Sequence, residues 1–446
     1  PGRQILLPQV QHIGTGGQGQ IGAIVHREQC TVSARGGLEF GKRPEFGLRL
    51  QRAELRLPRG ALVAELDDIH PTGQSGLGEL GKVALLSAGI GAQVQTRGGQ
   101  PVSRRQRSAG VGRLHVYDRS RATVGKRAGG GPIVRTLAVV GGGAIGLAVA
   151  WRAAEDGWTV TLYDPEVGSG ASWVAGGMLA PLSEGWPGED AVLAFGAEAL
   201  ARWPRFAARI EAATRTRVFV ADETLTVAQD TADVADLRTV AEWVGGHGHD
   251  MRVLDRAGVR ALEPALARTV RAGLLAPTEP AVDNRLLVTA LRTAAVAAGV
   301  TLRAEAVHHL EELPHDQVVL AAGASSAQLW PGLPVRPLKG EILRLRLRPG
   351  VQPPPTRVIR ARVHGRPVYF VPRAEGMVVG ATQYEAGFDI AVTVAGVRDL
   401  IADAETILPG IGEYELAETN AGSRPATPDN LPLIGRLTDR VVAATG

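Results

Sequence analysis

The sequence predicts an α/β fold in which a dinucleotide-binding domain is interleaved with a mostly antiparallel α+β lobe. Three observations carry that expectation. Leu137-Ala-Val-Val-Gly-Gly-Gly-Ala-Ile-Gly146 reads as a buried strand, a glycine turn and the opening of a helix. Asp164 stands about twenty residues farther on, after a second apolar strand, the spacing at which a carboxylate meets a ribose. Downstream, helices and strands alternate at first and then give way to consecutive strands, the pattern of a helix-flanked sheet joined to an antiparallel one.

Residues 1–133 come first and do not fit this scheme. Short apolar islands at Gln4 to Val10, Ala61 to Ile69 and Lys82 to Val94 are separated by glycine-rich breaks, without a sustained helical or strand period. The stretch holds 19 Lys or Arg against 9 Asp or Glu, leaving 30 of the chain's 49 basic and 36 of its 45 acidic residues to the remainder. The net charge of +4 is therefore carried by the leading segment. Nucleic acid is not the expected partner of these arginines, because they collect on no helix face and aromatic side chains for base stacking are nearly absent. A basic, pattern-poor stretch ahead of a clean domain start is what translation of upstream or opposite-strand DNA produces. The expectation is that 1–133 is a disordered extension or an over-extended gene start, with the real protein beginning near Val134. A tryptic peptide spanning Glu39 to Arg59, found in cells by mass spectrometry, would contradict it.

From Val134 the pattern is regular. The strand Thr136 to Val140 passes through Gly141-Gly142-Gly143 into an Ala-rich helix, Ala144 to Glu155; Gly157 ends it before a second strand, Thr159 to Tyr163. In this G-x-G-x-x-G pattern Gly141 permits the tight turn, Gly143 lets the backbone approach a pyrophosphate, and Gly146 lets the helix pack against the strand. The helix N-terminus then offers unpaired N–H groups to the anion. The unit is Rossmann-type, and a carboxylate at Asp164 disfavours a ribose 2′-phosphate, so FAD or NAD is preferred to NADP. Amphipathic helices follow at Glu189 to Arg215, Asp233 to Trp243, Asn284 to Ala298 and Val392 to Leu408. Strands are expected at Gln317 to Ala321, Lys339 to Leu347, Arg366 to Val371 and Gly376 to Ala381.

Composition excludes several classes. With 44% hydrophobic residues and mean hydropathy near zero (+0.01), and no apolar run long enough to span a bilayer, a membrane protein is not expected. The first residues show no charged start followed by an apolar block, so no signal peptide is read there. The single cysteine, Cys30, leaves no intrachain disulfide or cysteine zinc cluster and fits a reducing cytoplasm. His308 and His309, read as adjacent strand positions, point to opposite sides, and no metal site is expected.

The segment Gly168-Ser-Gly-Ala-Ser-Trp-Val-Ala-Gly-Gly-Met-Leu-Ala-Pro181 supplies small residues where a second stretch of backbone can pass close to a cofactor. Here the chain begins to resemble the D-amino-acid oxidase family of flavoproteins, in particular the glycine oxidases of thiamine biosynthesis. The resemblance continues in Val282-Asp-Asn-Arg-Leu286, Val318-Val-Leu-Ala-Ala-Gly323, Val335-Arg-Pro-Leu-Lys-Gly340 and Val368-Tyr-Phe-Val-Pro-Arg373, and in Val378-Val-Gly-Ala-Thr382. It is most specific in Ala421-Gly-Ser-Arg-Pro-Ala-Thr-Pro-Asp-Asn-Leu-Pro-Leu-Ile-Gly435 and covers essentially all of 134–446.

The resemblance implies FAD as cofactor, with Gly141, Gly143, Gly146 and Asp164 on its pyrophosphate and adenosine ribose. Ser172, Ala175, Gly176, Gly177 and Met178 would line the flavin, and the Val307 backbone would contact the adenine side. Arg424 would bind the substrate carboxylate through a planar guanidinium fork, which fixes it in two directions, and Tyr369 would assist. Arg424 is read as lying on a rigid turn. The implied reaction moves a hydride from the substrate Cα to the flavin, giving an imine that water hydrolyses, with dioxygen reduced to hydrogen peroxide. A small amino acid and dioxygen are the implied substrates, thiazole synthase a candidate partner and a homo-oligomer the expected assembly. The alternatives are a sarcosine or small D-amino-acid oxidase, and a non-catalytic truncated remnant.

The implied organisation alternates between the two lobes. FAD-binding segments are expected at 134–218, 283–336 and 415–446, and substrate-lobe segments at 219–282 and 337–414. The chain departs from the family at Gln383, where some glycine oxidases have a methionine near the substrate, and in a shorter stretch between Val307 and Gln317. It also stops at Gly446, where the family continues into a turn and helix, so FAD retention is expected to be weakened.

Overall fold

A computed structural model describes residues 135–446 throughout and, ahead of them, only the backbone of four strands: Gln4–His12 paired with Ala23–Thr31, and Gly47–Arg49 paired with Glu54–Arg56, both antiparallel. The apolar island Gln4 to Val10 falls in the first of these strands. The islands Ala61 to Ile69 and Lys82 to Val94, and the proposed start at Val134, lie outside the described residues. The chain divides into two units, Pro1–Asp118 and Arg119–Gly446. All that follows concerns the second.

This unit opens with β1 (Thr136–Val140), α1 (Ala144–Glu155), β2 (Thr159–Tyr163), the single turn α2 (Ala171–Val174) and the long α3 (Asp190–Thr214). It continues with β3 (Phe219–Ala221), β4 (Thr224–Ala228), α4 (Thr231–Gly246), β5 (Arg252–Asp255) and α5 (Arg256–Leu262). Next come β6 (Ala272–Ala276), β7 (Ala281–Val282), α6 (Asn284–Ala297), β8 (Thr301–Arg303), β9 (Gln317–Leu320) and α7 (Ser326–Leu329). The last stretch holds β10 (Arg336–Arg346), β11 (Val358–Val363), β12 (Arg366–Arg373) and β13 (Gly376–Gly380). It closes with α8 (Val394–Ile407), β14 (Glu415–Ala426), β15 (Leu433–Arg436) and β16 (Val441–Thr445).

Two sheets organise these elements. The first has the order β8-β2-β1-β9-β16-β15, parallel except where β15 turns back antiparallel on β16. β1 lies inside it, and its Leu-Ala-Val-Val run is unbroken because both faces are covered. One face packs Leu147 and Trp151 of α1 against Leu291 and Ala295 of α6; on the other, Leu310 and Trp330 close over Val140 and Leu320. The second sheet has the order β14-β10-β13-β12-β11-β4-β6-β5 and is antiparallel except between β11 and β4. Leu400 and Ile407 of α8 bury its Leu343 and Phe370. This is the α/β nucleotide-binding architecture with an antiparallel lobe that the sequence predicts.

Three readings are corrected. Arg424 lies in β14, paired with Leu338, in an extended strand and not on a rigid turn. β14 belongs to the large sheet, so the segment 415–446, grouped above with the FAD-binding segments, divides after Ala426; only β15 and β16 join the six-stranded sheet. β14 is an edge strand built of polar and small residues without an alternating apolar period, which hides it from pattern analysis. His308 and His309 lie in an irregular stretch between β8 and β9, not in a strand. Among the described residues no group of His, Cys, Asp or Glu could hold a metal ion, and no helix is long and apolar enough to cross a membrane.

The glycine turn is closely packed against main chain. Gly141 has φ +107°, and a Cβ there would fall 2.3 Å from the Ala321 carbonyl oxygen; a Cβ on Gly146 would fall 1.8 Å from the carbonyl oxygen of Gly141. Neither neighbour can move, because both atoms belong to main chain at the ends of central strands. Gly146→Ala is therefore expected to destabilise the protein by about 3 kcal/mol or more in urea denaturation. Gly170→Ala, at φ −73° with open space around it, should stay within about 0.5 kcal/mol of wild type.

Candidate active site

The site begins at the turn between β1 and α1. The first amides of a helix have no intrahelical partner, and here two neighbouring side chains organise the approach to them. Ser172 Oγ accepts from the Ala144 amide at 3.0 Å, and Asp164 Oδ2 accepts from the Gly142 amide at 2.6 Å. The other Asp164 oxygen accepts from the Glu166 amide at 2.8 Å. Asp164 thus ties the glycine turn to the end of β2, a contact the sequence reading lacks, while its remaining lone pairs stay available to ribose hydroxyls. Ile145, 47% exposed, stands on the open side of the turn. Val307 lies after β8 and packs with Tyr163 and Leu310 over the same end of the sheet. Together these residues fit the adenosine and pyrophosphate half of FAD: a helix N-terminus, a turn open to close approach and a carboxylate beside it.

A cavity of about 720 Å³ adjoins this turn. Ser172, Ala175, Gly176, Gly177 and Met178 form one wall, and Tyr369 and Arg424 reach it from the eight-stranded sheet. The structure therefore brings together seven of the residues singled out in the sequence, while the glycine turn, Asp164 and Val307 lie outside this lining. Tyr369, on β12, needs two glycines: a Cβ on Gly176 or Gly380 would fall 2.7 or 2.4 Å from its ring or hydroxyl. Burial pushes its phenol up from 10, opposed by the nearby Arg424 charge, so at neutral pH it is a hydroxyl that can donate. The Arg424 guanidinium rests on the main chain at Gly340 and is exposed, with no hydrogen bond or ion pair among the described residues. Gln383 also reaches the wall, fixed by the paired main chain of its neighbour Tyr384 with Lys339.

Sequence reasoning missed a second charged group. Arg360 of β11, paired in register with Tyr369, lines the same cavity, donates to Ser183 Oγ at 3.0 Å and forms an ion pair with Glu184 at 3.1 Å. Behind it Glu279, 0% exposed, accepts from the amides of Leu182 and, at 2.9 Å, Ser183, which holds that loop in the wall. The alternation Val358-Ile-Arg-Ala-Arg-Val363 could have revealed Arg360 as a strand residue facing away from the core. Nothing in the turn Ala276-Pro-Thr-Glu-Pro280 marks Glu279 as buried.

Comparison with known proteins identifies the family. The family model described as FAD dependent oxidoreductase matches residues 136–446. A Rhizobium etli protein named "Putative thiamine biosynthesis oxidoreductase ThiO" is 34% identical over 304 residues, covering 67% of this chain and 86% of that protein. A bifunctional protein ThiO/ThiG of a Synechocystis strain is 31% identical over 69% of this chain, which spans 48% of that protein's length. The crystal structure of glycine oxidase from Geobacillus kaustophilus superposes with a TM-score of 0.64 at 27% identity, over 70% of this chain and 90% of that one.

Burial pushes the Glu279 carboxyl from its ordinary 4.5 up to about 6, although three hydrogen bonds at Leu182 and Ser183 pull the other way, and its Oε2 has no partner among the described residues. Between those two values the folded chain keeps a proton that the unfolded chain has released, so stability falls as pH rises through this window and levels off above it. The difference amounts to about 2 kcal/mol. Glu279→Gln cannot titrate, and its stability relative to wild type should improve by about that amount between about pH 4 and pH 7.5 in paired denaturation curves. An unchanged gap would show that Glu279 does not titrate in this range.

Proposed function

The chain belongs to the FAD dependent oxidoreductase family, and from that premise we propose that it oxidises glycine or a similarly small amine in the thiazole branch of thiamine biosynthesis. One observation carries the reading: an unpaired, exposed guanidinium, Arg424, shares a cavity with the Tyr369 hydroxyl and with a wall of small residues. When bound, FAD supplies the two-electron oxidant by which glycine loses a Cα hydride and an N–H proton to become an imine, which hydrolyses to glyoxylate and ammonia while dioxygen becomes hydrogen peroxide.

The protein's own contribution is placement. Gly141, Gly143, Gly146 and Asp164 hold the adenosine end, with the Val307 backbone on the adenine side. Ser172, Ala175, Gly176, Gly177 and Met178 leave room for a flat ring against the main chain. The Arg424 fork grips the substrate carboxylate through two parallel hydrogen bonds, and the neutral Tyr369 hydroxyl donates a third. Anchoring the carboxylate fixes the Cα in one place and so removes most of its orientational freedom before reaction. Arg360 is already engaged by Ser183 and Glu184, whereas Arg424 is free to receive an anion. The relatives named ThiO and ThiO/ThiG support the pathway and a thiazole-forming partner, and the lone cysteine supports the cytoplasm as compartment. Gln383 in the wall favours one further reading, in which sarcosine or a small D-amino acid is the better substrate.

Oxygen uptake and peroxide release on glycine, sarcosine and D-alanine test the proposal. Glycine is expected to give the highest kcat/KM; no uptake with any of the three would refute the reading. Arg424→Ala should lower kcat/KM for glycine ~100-fold or more, since it removes a charge-assisted pair of bonds, whereas Tyr369→Phe should cost ~10-fold.

A further inference from the structure

Behind the Ala171–Met178 segment, among residues that do not line the cavity, three arginines converge around one buried asparagine. Asn284, at the start of α6, donates through Nδ2 to the carbonyls of Ser172 (2.9 Å) and Trp173 (2.7 Å). Its Oδ1 accepts from Arg344 (3.1 Å) and Arg373 (3.0 Å). Arg373, with a side chain only 8% exposed, also donates to the Gly176 carbonyl at 2.8 Å. Every amide hydrogen and acceptor of Asn284 is thus engaged, and three carbonyls of the cavity wall are fixed from behind.

The charges in this cluster do not cancel. Arg373 faces Asp283 at 3.3 Å, and Arg285 makes two bonds to Glu418, at 3.0 and 2.8 Å. Arg344 brings a third guanidinium without a third carboxylate. Hydrogen bonds from Arg285 hold the Glu418 carboxyl down at about 2, so it is ionised at neutral pH. Burial lowers Arg344 and Arg373, the latter to about 10, which still leaves both cationic at neutral pH. Among the described residues the buried Nε of Arg344 has no hydrogen-bond acceptor, and the Arg373 Nε faces Asp283 Oδ2 in an ion pair without a hydrogen bond. A buried, incompletely compensated cation is costly to fold. It is useful where negative charge develops nearby during the reaction, because a fixed charge in a poorly solvated place needs no reorganisation to stabilise it.

We propose that Asn284 and Arg373 are positioning residues for the flavin: they fix the Ser172, Trp173 and Gly176 carbonyls of its wall, and the surplus positive charge held there favours the reduced cofactor. This rests on the reading that the flavin ring lies against Ala175–Met178. Arg373→Lys keeps the charge, Arg373→Gln removes it, and Asn284→Asp cancels it while preserving both acceptor contacts with the arginines.

The test is the midpoint potential of the FAD-loaded full chain, measured by dye-linked reduction for wild type and these three variants. At fixed poise, Arg373→Gln and Asn284→Asp should each lower the ratio of reduced to oxidised flavin about tenfold, equivalent to about 30 mV for a two-electron couple. Arg373→Lys should remain near wild type. Asn284→Asp decides the matter if Arg373→Gln does not fold. A purely structural role predicts variants that bind FAD less well at an unchanged potential, and that result overturns the proposal, as does a Lys variant that falls with the Gln variant. Failure of the cavity reading looks different: the wild-type flavin spectrum would then not respond to a small carboxylate such as acetate, and the proposal would fall with it.

Discussion

The site depends on how closely one short stretch of backbone, Ala171–Met178, is held between the two sheets. Ser172 caps the first amide of α1, so this stretch is fastened to the glycine turn. The Gly177 carbonyl accepts from the Val282 amide at 2.8 Å, and a Cβ on Gly177 would fall 2.1 Å from the Val282 carbonyl oxygen, which fastens it to β7. Gly176 lies flat against Tyr369, and Val174 against Gly422 of β14. The segment is rich in small residues because four separate elements must approach its main chain at once. A larger side chain at Gly176 or Gly177 would displace either the phenol or the strand behind it.

That arrangement divides the charged groups of the cavity into two kinds. Arg360 is spent on the protein itself: its hydrogen bond to Ser183 and its ion pair with Glu184 close a loop whose amides are gripped by Glu279. Arg424 lies on β14, an edge strand of the same sheet, and is unspent. A guanidinium left exposed in a concave site, with no acid near enough to pair, is poised for an anion from outside. The difference between the two arginines is therefore a difference in partners, not in residue type, and only the three-dimensional arrangement reveals it.

Much of the fold was legible in the sequence. The β1-α1-β2 unit matches its expected bounds, and α3, α6 and α8 lie within a few residues of theirs, because each buries a continuous or periodic apolar face. The strands β3 to β8, β11 and β14 to β16 were not read. Several are two to five residues long, and β14 is built of polar and small residues without an apolar period, so these offer little pattern to detect, while the alternation in β11 was passed over. The wall residues and Tyr369 were found through resemblance, since glycines and a lone tyrosine carry little pattern of their own. The Asn284–Arg373 cluster was invisible for a different reason. Its members come from α6, β10 and β12, more than fifty residues apart in places, and their common point is a backbone segment near residue 174.

The proposed function requires that this cavity hold a small amino acid by its carboxylate, on Arg424, beside bound FAD. Anaerobic mixing of the FAD-loaded protein with glycine tests that arrangement without reliance on turnover. Glycine should bleach the oxidised-flavin absorbance of the wild type and leave that of Arg424→Ala unchanged at the same concentration. Bleaching of both at equal rates, or of neither while FAD is bound, would rule it out.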